Sequence, residues 1–290
     1  MRIGHNPLRA SKVEELPTRI MSVITHLPNR NGYHKFRLAV IQACLESMRY
    51  GAHGIPVMVW DNGSCKDLTD WLQNEYKPET LVLSPNVGKS NARMALFRMV
   101  RPDAIMALCD DDMLFYPGWF DASRKLLETF PEVGKVSCYP VRTQGRWGCS
   151  ATKEWAAKNG KLETGIFITE EEERDFCTSV ERDYDWHLEF AKNDIDHRVT
   201  YKGLKAYCYA HHCQFMARAG VIIPFLERTN EAMANEKPFD NAVNDAGLLQ
   251  LTTAKRYSRH IGNMVDHKVI MDMIGMGLLS VEEVVNGERD

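Results

Sequence analysis

The sequence lacks several features that would place the protein in other classes. It has no apolar run near the roughly 20 residues that a membrane helix requires, and Glu14 and Glu15 stand where a signal peptide would be apolar. Its eight cysteines are scattered and form no Cys-x-x-Cys pair. We therefore expect a cytoplasmic protein without a transmembrane segment, whose cysteines stay reduced.

Neither sign of charge is in large excess. The formal net charge is -3 and the isoelectric point is near 6.4, so the whole molecule has no electrostatic reason to bind nucleic acid or an acidic membrane. The 290 residues are 44% hydrophobic and 26% charged, a composition that suits one globular α/β domain with a substantial core.

Strand-like apolar runs alternate with helical patterns in the first part of the chain. Predicted strands cover residues 19–25, 55–60, 80–83 and 105–109, and predicted helices cover residues 35–50, 67–75 and 92–100. This alternation predicts a mostly parallel, Rossmann-like sheet flanked by helices. Parallel strands end at one edge, so the loops around Thr25, Asp61, Asn86 and Asp110 should converge there.

Three consecutive carboxylates, Asp110, Asp111 and Asp112, end the last of these strands. Adjacent carboxylates repel one another, so we expect a positive group beside them. A hard divalent cation that also binds a diphosphate is one solution. If strand geometry persists, Asp110 and Asp112 point to the same side and Asp111 faces away. Taken alone, the cluster also fits a solvated loop or a helix cap.

Four segments resemble, in order, the motifs of family 2 glycosyltransferases with the GT-A fold. They are Ser22–Arg30, Val59–Ser64, Asn86–Arg93 and Leu108–Trp119. The resemblance extends over about residues 19–135. One departure concerns the first loop, where His26-Leu27 stands in place of the family's usual Pro-Thr and leaves the contacts to the base open.

The resemblance implies a single GT-A domain that binds a nucleotide-diphosphate sugar. Donor-binding roles fall on Thr25, Asp61, Arg93, Asp110 and Asp111. Asp61 would lie near the base, Arg93 near the base or phosphates, and Asp110 near the ribose or metal. A carboxylate can accept the imide N–H of uracil, which favours a UDP-sugar over a cytidine donor.

The resemblance also implies a metal site and a general base. Asp112 would bind Mn2+ or Mg2+, and His260 would complete the metal shell, although a histidine there also fits a core position. Asn244-Asp245 stands where the family shows Glu-Asp ahead of a helix, so Asp245 is the expected base, with Asp240 in reserve. Alternatively, Asp245 only caps a helix over residues 246–255.

Residues 136–213 would supply the acceptor pocket. Trp147, flanked by glycines, could stack on a sugar, although a tryptophan more often anchors a loop onto a core. His212 is the second acceptor candidate. A zinc site at His211-His212-Cys213 is disfavoured, because adjacent residues of a strand point to opposite faces.

The sequence therefore predicts a metal-dependent glycosyltransferase that moves a sugar onto an acceptor hydroxyl with inversion. That acceptor is a glycan, lipid-linked glycan, protein or modified nucleic acid. The expected divisions are a leader over 1–18, a donor-binding half over 19–135, a catalytic half over 136–263 and a helical tail over 264–290. The alternatives are a nucleotidyltransferase and a catalytically silent glycan-binding module.

Overall fold

A computed structural model describes residues 15–229 and 236–282. The strands in these residues are β1 (Arg19–Thr25), β2 (Val57–Asn62), β3 (Thr80–Ser84), β4 (Ile105–Asp110), β5 (Met113–Phe115), β6 (Val133–Ser137), β7 (Lys161–Gly165), β8 (Asp196–Tyr201), β9 (Leu204–Tyr207), β10 (Gln214–Arg218), β11 (Leu249–Thr253) and β12 (Ser258–His260). The α-helices are α1 (Arg37–Gly51), α2 (Lys66–Trp71), α3 (Lys89–Arg98), α4 (Trp119–Thr129), α5 (Ser150–Asn159), α6 (Glu170–Ser179), α7 (Tyr184–Ala191), α8 (Ala219–Thr229), α9 (Lys237–Asp245) and α10 (His267–Gly275).

One large sheet joins the two halves of the chain, in the order β3-β2-β1-β4-β10-β6-β11-β9-β8-β7. The pairs from β3 to β4 are parallel, as the alternating pattern predicted. Beyond them β10 is antiparallel to both β4 and β6, while β11 is parallel to β6. The predicted α/β class, with a mixed and largely parallel sheet between helices, is confirmed.

The core lies on both faces of this sheet. Along β1, Met21 and Val23 pack on the face covered by α1, α2 and α4, while Ile20 and Ile24 pack on the face covered by α3, α8 and α9. Successive strand residues point to opposite faces, so a strand buried on both sides is apolar throughout. This explains the continuous apolar runs in the sequence.

One predicted helix is wrong. Residues 246–255 contain strand β11, and the helix of this region is α9, which ends at Asp245. Phe239, Ala242 and Val243 form the buried side of α9, while all five residues of β11 are buried in the sheet. Pairing of β11 with β6 therefore outweighs any local helical preference.

A small second sheet brings a distant segment to the end of β4. Strand β12 pairs with β5 so that His260 lies opposite Met113. The backbone N–H of Ile261 donates to the carbonyl of Asp112 at 2.7 Å. Arg259, 1% exposed, anchors β12 through ion pairs with Asp175 and Asp272. Residues separated by almost 150 positions are thereby held side by side.

Two expectations concern regions that are only partly described. Of the leader expected over residues 1–18, residues 1–14 lie outside the described residues, as do residues 283–290 of the expected tail. In the described part of the chain, the helices are too short or too polar to cross a bilayer.

Candidate active site

A cavity of about 500 Å3 opens at the carboxyl edge of the parallel strands. It is lined by Ile24, His26, Tyr33, His34, Arg37, Asn62, Asn86, Gly88, Lys89, Asp110, Asp111 and Asp112. These residues follow β1, β2, β3 and β4, so the predicted convergence of four loops is present. Open α/β sheets bind ligands at this edge.

Asp61 holds the first two loops together. One carboxylate oxygen accepts a hydrogen bond from the Thr25 hydroxyl at 3.1 Å, and the other accepts from the Ser64 backbone N–H at 3.0 Å. Thr25 and Asp61 are both buried. Neither is among the residues that line the cavity, so in this structure they shape its wall.

His26 enters the cavity beside them. Its backbone N–H donates to Asp111 Oδ2 at 3.1 Å, and its ring Nδ1 lies 3.0 Å from the carbonyl oxygen of Asn62. Asn62 in turn donates to Asn86 Oδ1 at 3.1 Å. The first, second and third loops are therefore joined by one hydrogen-bonded chain.

Protein cations surround the three carboxylates, as their mutual repulsion requires. The Arg37 guanidinium is paired with Asp111 and lies 3.3 Å from Asp112 Oδ2, and Lys89 Nζ lies 2.7 Å from Asp110 Oδ1. Burial raises the pKa of Asp111 to about 6, although Arg37 opposes that shift. Asp111 points at Arg37 and the first loop, whereas Asp112 faces His260.

Asp112 and His260 form a pair at the junction of the two sheets. His260 Nε2 lies 3.4 Å from Asp112 Oδ2. Burial opposes ionisation of both groups, but their mutual attraction prevails. The carboxylate raises the pKa of His260 above its usual value, and His260 with Arg37 lowers the pKa of Asp112 to about 2. Each group therefore favours the charged form of the other.

The same two side chains fit a divalent cation. Asp112 Oδ1 and His260 Nδ1 are buried and have no hydrogen-bond partner among the described residues. Carboxylate oxygen and imidazole nitrogen both suit manganese. Within residues 15–229 and 236–282 no group of three or more acidic, histidine or cysteine side chains could hold a metal by itself. The remaining ligands would be oxygen atoms of a diphosphate and water.

Glu236, just before α9, meets the cations of α3. Its Oε1 lies 3.0 Å from an Arg93 nitrogen and 3.3 Å from Lys89 Nζ. Within residues 15–229 and 236–282, the contact of its Oε2 is with Arg93, at 3.5 Å. Arg93 is fully buried and does not line the cavity. It holds Glu236 through their ion pair.

The charge state of Glu236 follows from these contacts. Burial alone would raise the pKa of its carboxyl group, but Arg93 and Lys89 more than offset that effect and hold the pKa below its usual range. The same carboxylate, with Asp110, raises the pKa of Lys89. Glu236 is therefore an ionised carboxylate next to Lys89, one of the residues that line the cavity.

Asp245 is not brought to this site. Strands β4, β6 and β11 point in the same direction, so the residues before β11 lie at the edge opposite Asp110. Asp245 is exposed there, at the last position of α9. Nine helical residues span about 12 Å, which separates Asp245 from Glu236 at the other end.

Asp240, the reserve candidate for the base, is also occupied elsewhere. It is 1% exposed, pairs with the fully buried Lys135 and accepts from Gln144 Nε2 at 3.2 Å. Both of its oxygen atoms are therefore engaged. Asp240 therefore links α9 to β6.

The two acceptor candidates lie on the α9 side of the site. Trp147 is half-buried beneath Lys237, whose Nζ is 4.5 Å from the ring centroid. His212 stacks on His211 with ring centroids 4.4 Å apart, and burial lowers its pKa although the nearby Glu236 opposes this. Trp147 Nε1 and His212 Nδ1 are buried without a hydrogen-bond partner in the described residues.

Sequence reasoning missed three charged residues of this site: Arg37, Lys89 and Glu236. Lys89 is the first residue of α3, whereas the predicted helix started at residue 92. The apolar spacing of Phe239, Ala242 and Val243 indicates a helix over α9, and this signal would have placed Glu236 at its beginning. The sequence contains no comparable local signal for Arg37, which meets Asp111 only through tertiary packing.

The fold and the site define an α/β protein with an acidic cluster, paired with cations, at the carboxyl edge of its sheet. The sequence model of glycosyl transferase family 2 matches residues 27–195, more than half of the chain. The protein therefore belongs to glycosyl transferase family 2.

Other comparisons add little. No curated protein matches the chain. Among solved structures, it is similar to the mannosyltransferase PcManGT from Pyrobaculum calidifontis, solved in complex with GDP-Man and Mn2+. The two sequences are 21% identical over 44% of this chain and 36% of that one, with a TM-score of 0.32. The match therefore spans about a third of the mannosyltransferase.

Proposed function

We propose that the protein transfers a sugar from a UDP-sugar to an acceptor hydroxyl, with inversion at the anomeric carbon and with Glu236 as the general base. The observation that carries this proposal is the position of Glu236. Its carboxylate contacts the cations beside Asp110, and the next residue, Lys237, covers Trp147. It thus lies between the donor edge and the proposed acceptor side.

Glu236 replaces Asp245 in this proposal because of geometry. A general base must come within hydrogen-bond reach of the hydroxyl that it deprotonates, and Asp245 lies at the opposite edge of the sheet. Among the residues that the structure describes, Glu236 Oε2 has a single, long contact, with Arg93 at 3.5 Å, and we assign to this oxygen the acceptance of the hydroxyl proton. The acceptor oxygen then attacks the anomeric carbon as the bond to the diphosphate breaks.

Donor binding would also activate this base. In the structure, Lys89 Nζ is shared between two carboxylates, 2.7 Å from Asp110 and 3.3 Å from Glu236. Diphosphate oxygens would bind it more strongly than either carboxylate does. When Lys89 turns to the phosphates, Glu236 loses one of the cations that lower its pKa. Its affinity for a proton therefore rises when the donor is present.

Asp112 and His260 would hold Mn2+ or Mg2+ beside the diphosphate. Such an ion supplies Lewis-acid stabilisation of the charge that develops on the leaving diphosphate. Two observations support this assignment: His260 Nε2 faces Asp112 Oδ2 at 3.4 Å, and Asp112 Oδ1 has no hydrogen-bond partner among the described residues. Arg37 keeps the neighbouring Asp111 directed at the first loop, and Lys89 offers a further positive charge to the phosphates.

The acceptor would bind between Glu236 and the pair formed by Trp147 and His212. Their unpartnered nitrogen atoms can hydrogen-bond to hydroxyl groups of a glycan, a lipid-linked glycan, a protein or a modified nucleic acid. A cytoplasmic location is also part of the proposal. It is supported by eight free cysteines, seven of them buried, as expected in a reducing compartment.

Thermal shift against UDP, GDP, CDP and ADP, with and without Mn2+, tests the donor class. Binding at 100 times Kd adds about 2.7 kcal/mol of stability, which corresponds to a rise in Tm of about 5 °C. We expect the largest shift with UDP and Mn2+, and we expect Asp112→Asn to remove the Mn2+ dependence. A wild-type protein that no nucleotide shifts would contradict the proposal.

A further inference from the structure

The cavity divides by charge into two ends. At the end of β4, Arg37 and Lys89 pair with the three consecutive carboxylates Asp110, Asp111 and Asp112, whereas all other residues that line the cavity are uncharged or imidazole groups. Strand β2 lies two positions from β4 in the sheet, which is roughly 10 Å at the usual strand spacing. On the proposed function, the diphosphate occupies the charged end and the nucleoside extends toward Asn62.

At this nucleoside end most polar groups already have partners. Asp61 uses both carboxylate oxygens within the loops. The amide of Asn62 donates to Asn86 and accepts from the backbone N–H of Val87 at 2.9 Å. Asn86 Oδ1 also accepts from the Gly88 N–H at 2.9 Å. These contacts hold the loops but leave few acceptors for a ligand.

His26 differs because its tertiary contact determines its tautomer. A carbonyl oxygen can only accept a hydrogen bond, so the 3.0 Å contact with Asn62 requires the proton on Nδ1. In the neutral ring Nε2 is then an acceptor, and no described residue donates to it. The backbone N–H, bonded to Asp111, holds the residue at a second point. The ring is therefore a preoriented acceptor.

We propose that His26 recognises the base of the donor nucleotide by accepting, through Nε2, a hydrogen bond from a ring N–H. Uracil carries such a group at N3 and guanine carries one at N1. Cytosine and adenine have an unprotonated ring nitrogen at the matching position, so its lone pair would face that of Nε2. The proposal assigns to His26 the uridine-type selectivity that the sequence suggested for Asp61.

Methylated nucleotides isolate this hydrogen bond. Isothermal titration with Mn2+ present would compare UDP with N3-methyl-UDP, and GDP with N1-methyl-GDP, in the wild-type protein and three variants. His26→Phe removes the acceptor, and His26→Gln keeps an oxygen acceptor near the Nε2 position. His53→Phe changes an exposed histidine on a separate surface hollow and is the matched control. Melting without nucleotide establishes that each variant is folded.

We expect wild type and His53→Phe to bind the unmethylated nucleotide about 10-fold more tightly than its methylated form, the worth of one hydrogen bond. His26→Phe should bind both forms equally, and His26→Gln should recover part of the difference. Equal methyl discrimination in folded His26→Phe overturns the role of His26 alone. A wild-type preference for CDP or ADP also overturns the role of His26 alone. Absence of any nucleotide binding overturns the proposed function as well.

Discussion

The two carboxylate oxygens of Glu236 have different surroundings. Its Oε1 is the common partner of Arg93 and Lys89, while Oε2 has one long contact, with Arg93, in the described part of the chain. Arg93 is fully buried and cannot leave, but the partly exposed Lys89 can turn to another anion. On the proposed function, Arg93 would hold the carboxylate in place, and movement of Lys89 to the donor phosphates would raise its basicity.

Replacement of this carboxylate should separate chemistry from binding. We expect Glu236→Gln to reduce kcat by about 10² to 10⁴, the usual contribution of a general base, while the Kd for UDP changes little. Steady-state kinetics with an accepted sugar acceptor, together with nucleotide titration, would measure both quantities.

Asp245→Asn is the matched control for that prediction. It makes the same carboxylate-to-amide change at the other end of α9, where the side chain is exposed, and should retain near wild-type kcat. If Asp245→Asn lost transfer and Glu236→Gln kept it, the assignment of the base would be reversed.

At the scale of elements, α9 depends on one buried ion pair for its position. Lys135, in the middle of β6, and Asp240, one turn into α9, are each almost without exposed surface. Gln250 of β11 adds a hydrogen bond to the Asp240 carbonyl at 2.8 Å. Because Glu236 immediately precedes α9, these contacts also determine where the base lies relative to β4.

Removal of one partner of this pair should be costly. Lys135→Met leaves the Asp240 carboxylate buried without its cation, and we expect a loss of about 3–5 kcal/mol in the free energy of unfolding, measured by urea denaturation. The double variant Lys135→Met/Asp240→Leu should recover much of that loss, because it leaves no buried charge.

The exposed pair Lys66–Asp70 on α2 serves as the comparison. Lys66→Met should change stability by less than about 1 kcal/mol, since surface ion pairs contribute little. Similar losses of stability for Lys66→Met and Lys135→Met would show that burial does not explain the contribution of the Lys135–Asp240 pair.

For the whole molecule, histidines that are fully or partly buried should link stability to pH. Burial lowers the pKa values of His187, His197, His211 and His212. The unfolded chain then binds protons below about pH 6.5 that the folded chain does not bind. Stability therefore falls as pH decreases through that value. His260 acts in the opposite sense, because Asp112 raises its pKa.

A comparison of slopes isolates one of these groups. His211 is buried, and its pKa is well below the usual value. Below about pH 6 the stability of the wild type should fall more steeply than that of His211→Asn, by about 1.4 kcal/mol per pH unit for one proton. Urea denaturation from pH 7.5 to pH 5 would measure this, and parallel curves would contradict it.

The sequence by itself determined the parallel half of the sheet and the acidic cluster at its edge. Local sequence patterns predict both features. The alternation of strand and helix patterns predicts β1 to β4, and the abrupt change from apolar residues to Asp110 marks the acidic cluster; each pattern involves only a few neighbouring residues. The tertiary structure decided which groups meet there. Arg37, Lys89 and His260 contact the carboxylates from separate helices and strands, and Glu236 contacts Lys89 from the segment before α9. Their meeting depends on the antiparallel insertion of β10 and on the pairing of β12 with β5, because strand order and packing, unlike local periodicity, are set by contacts between distant segments.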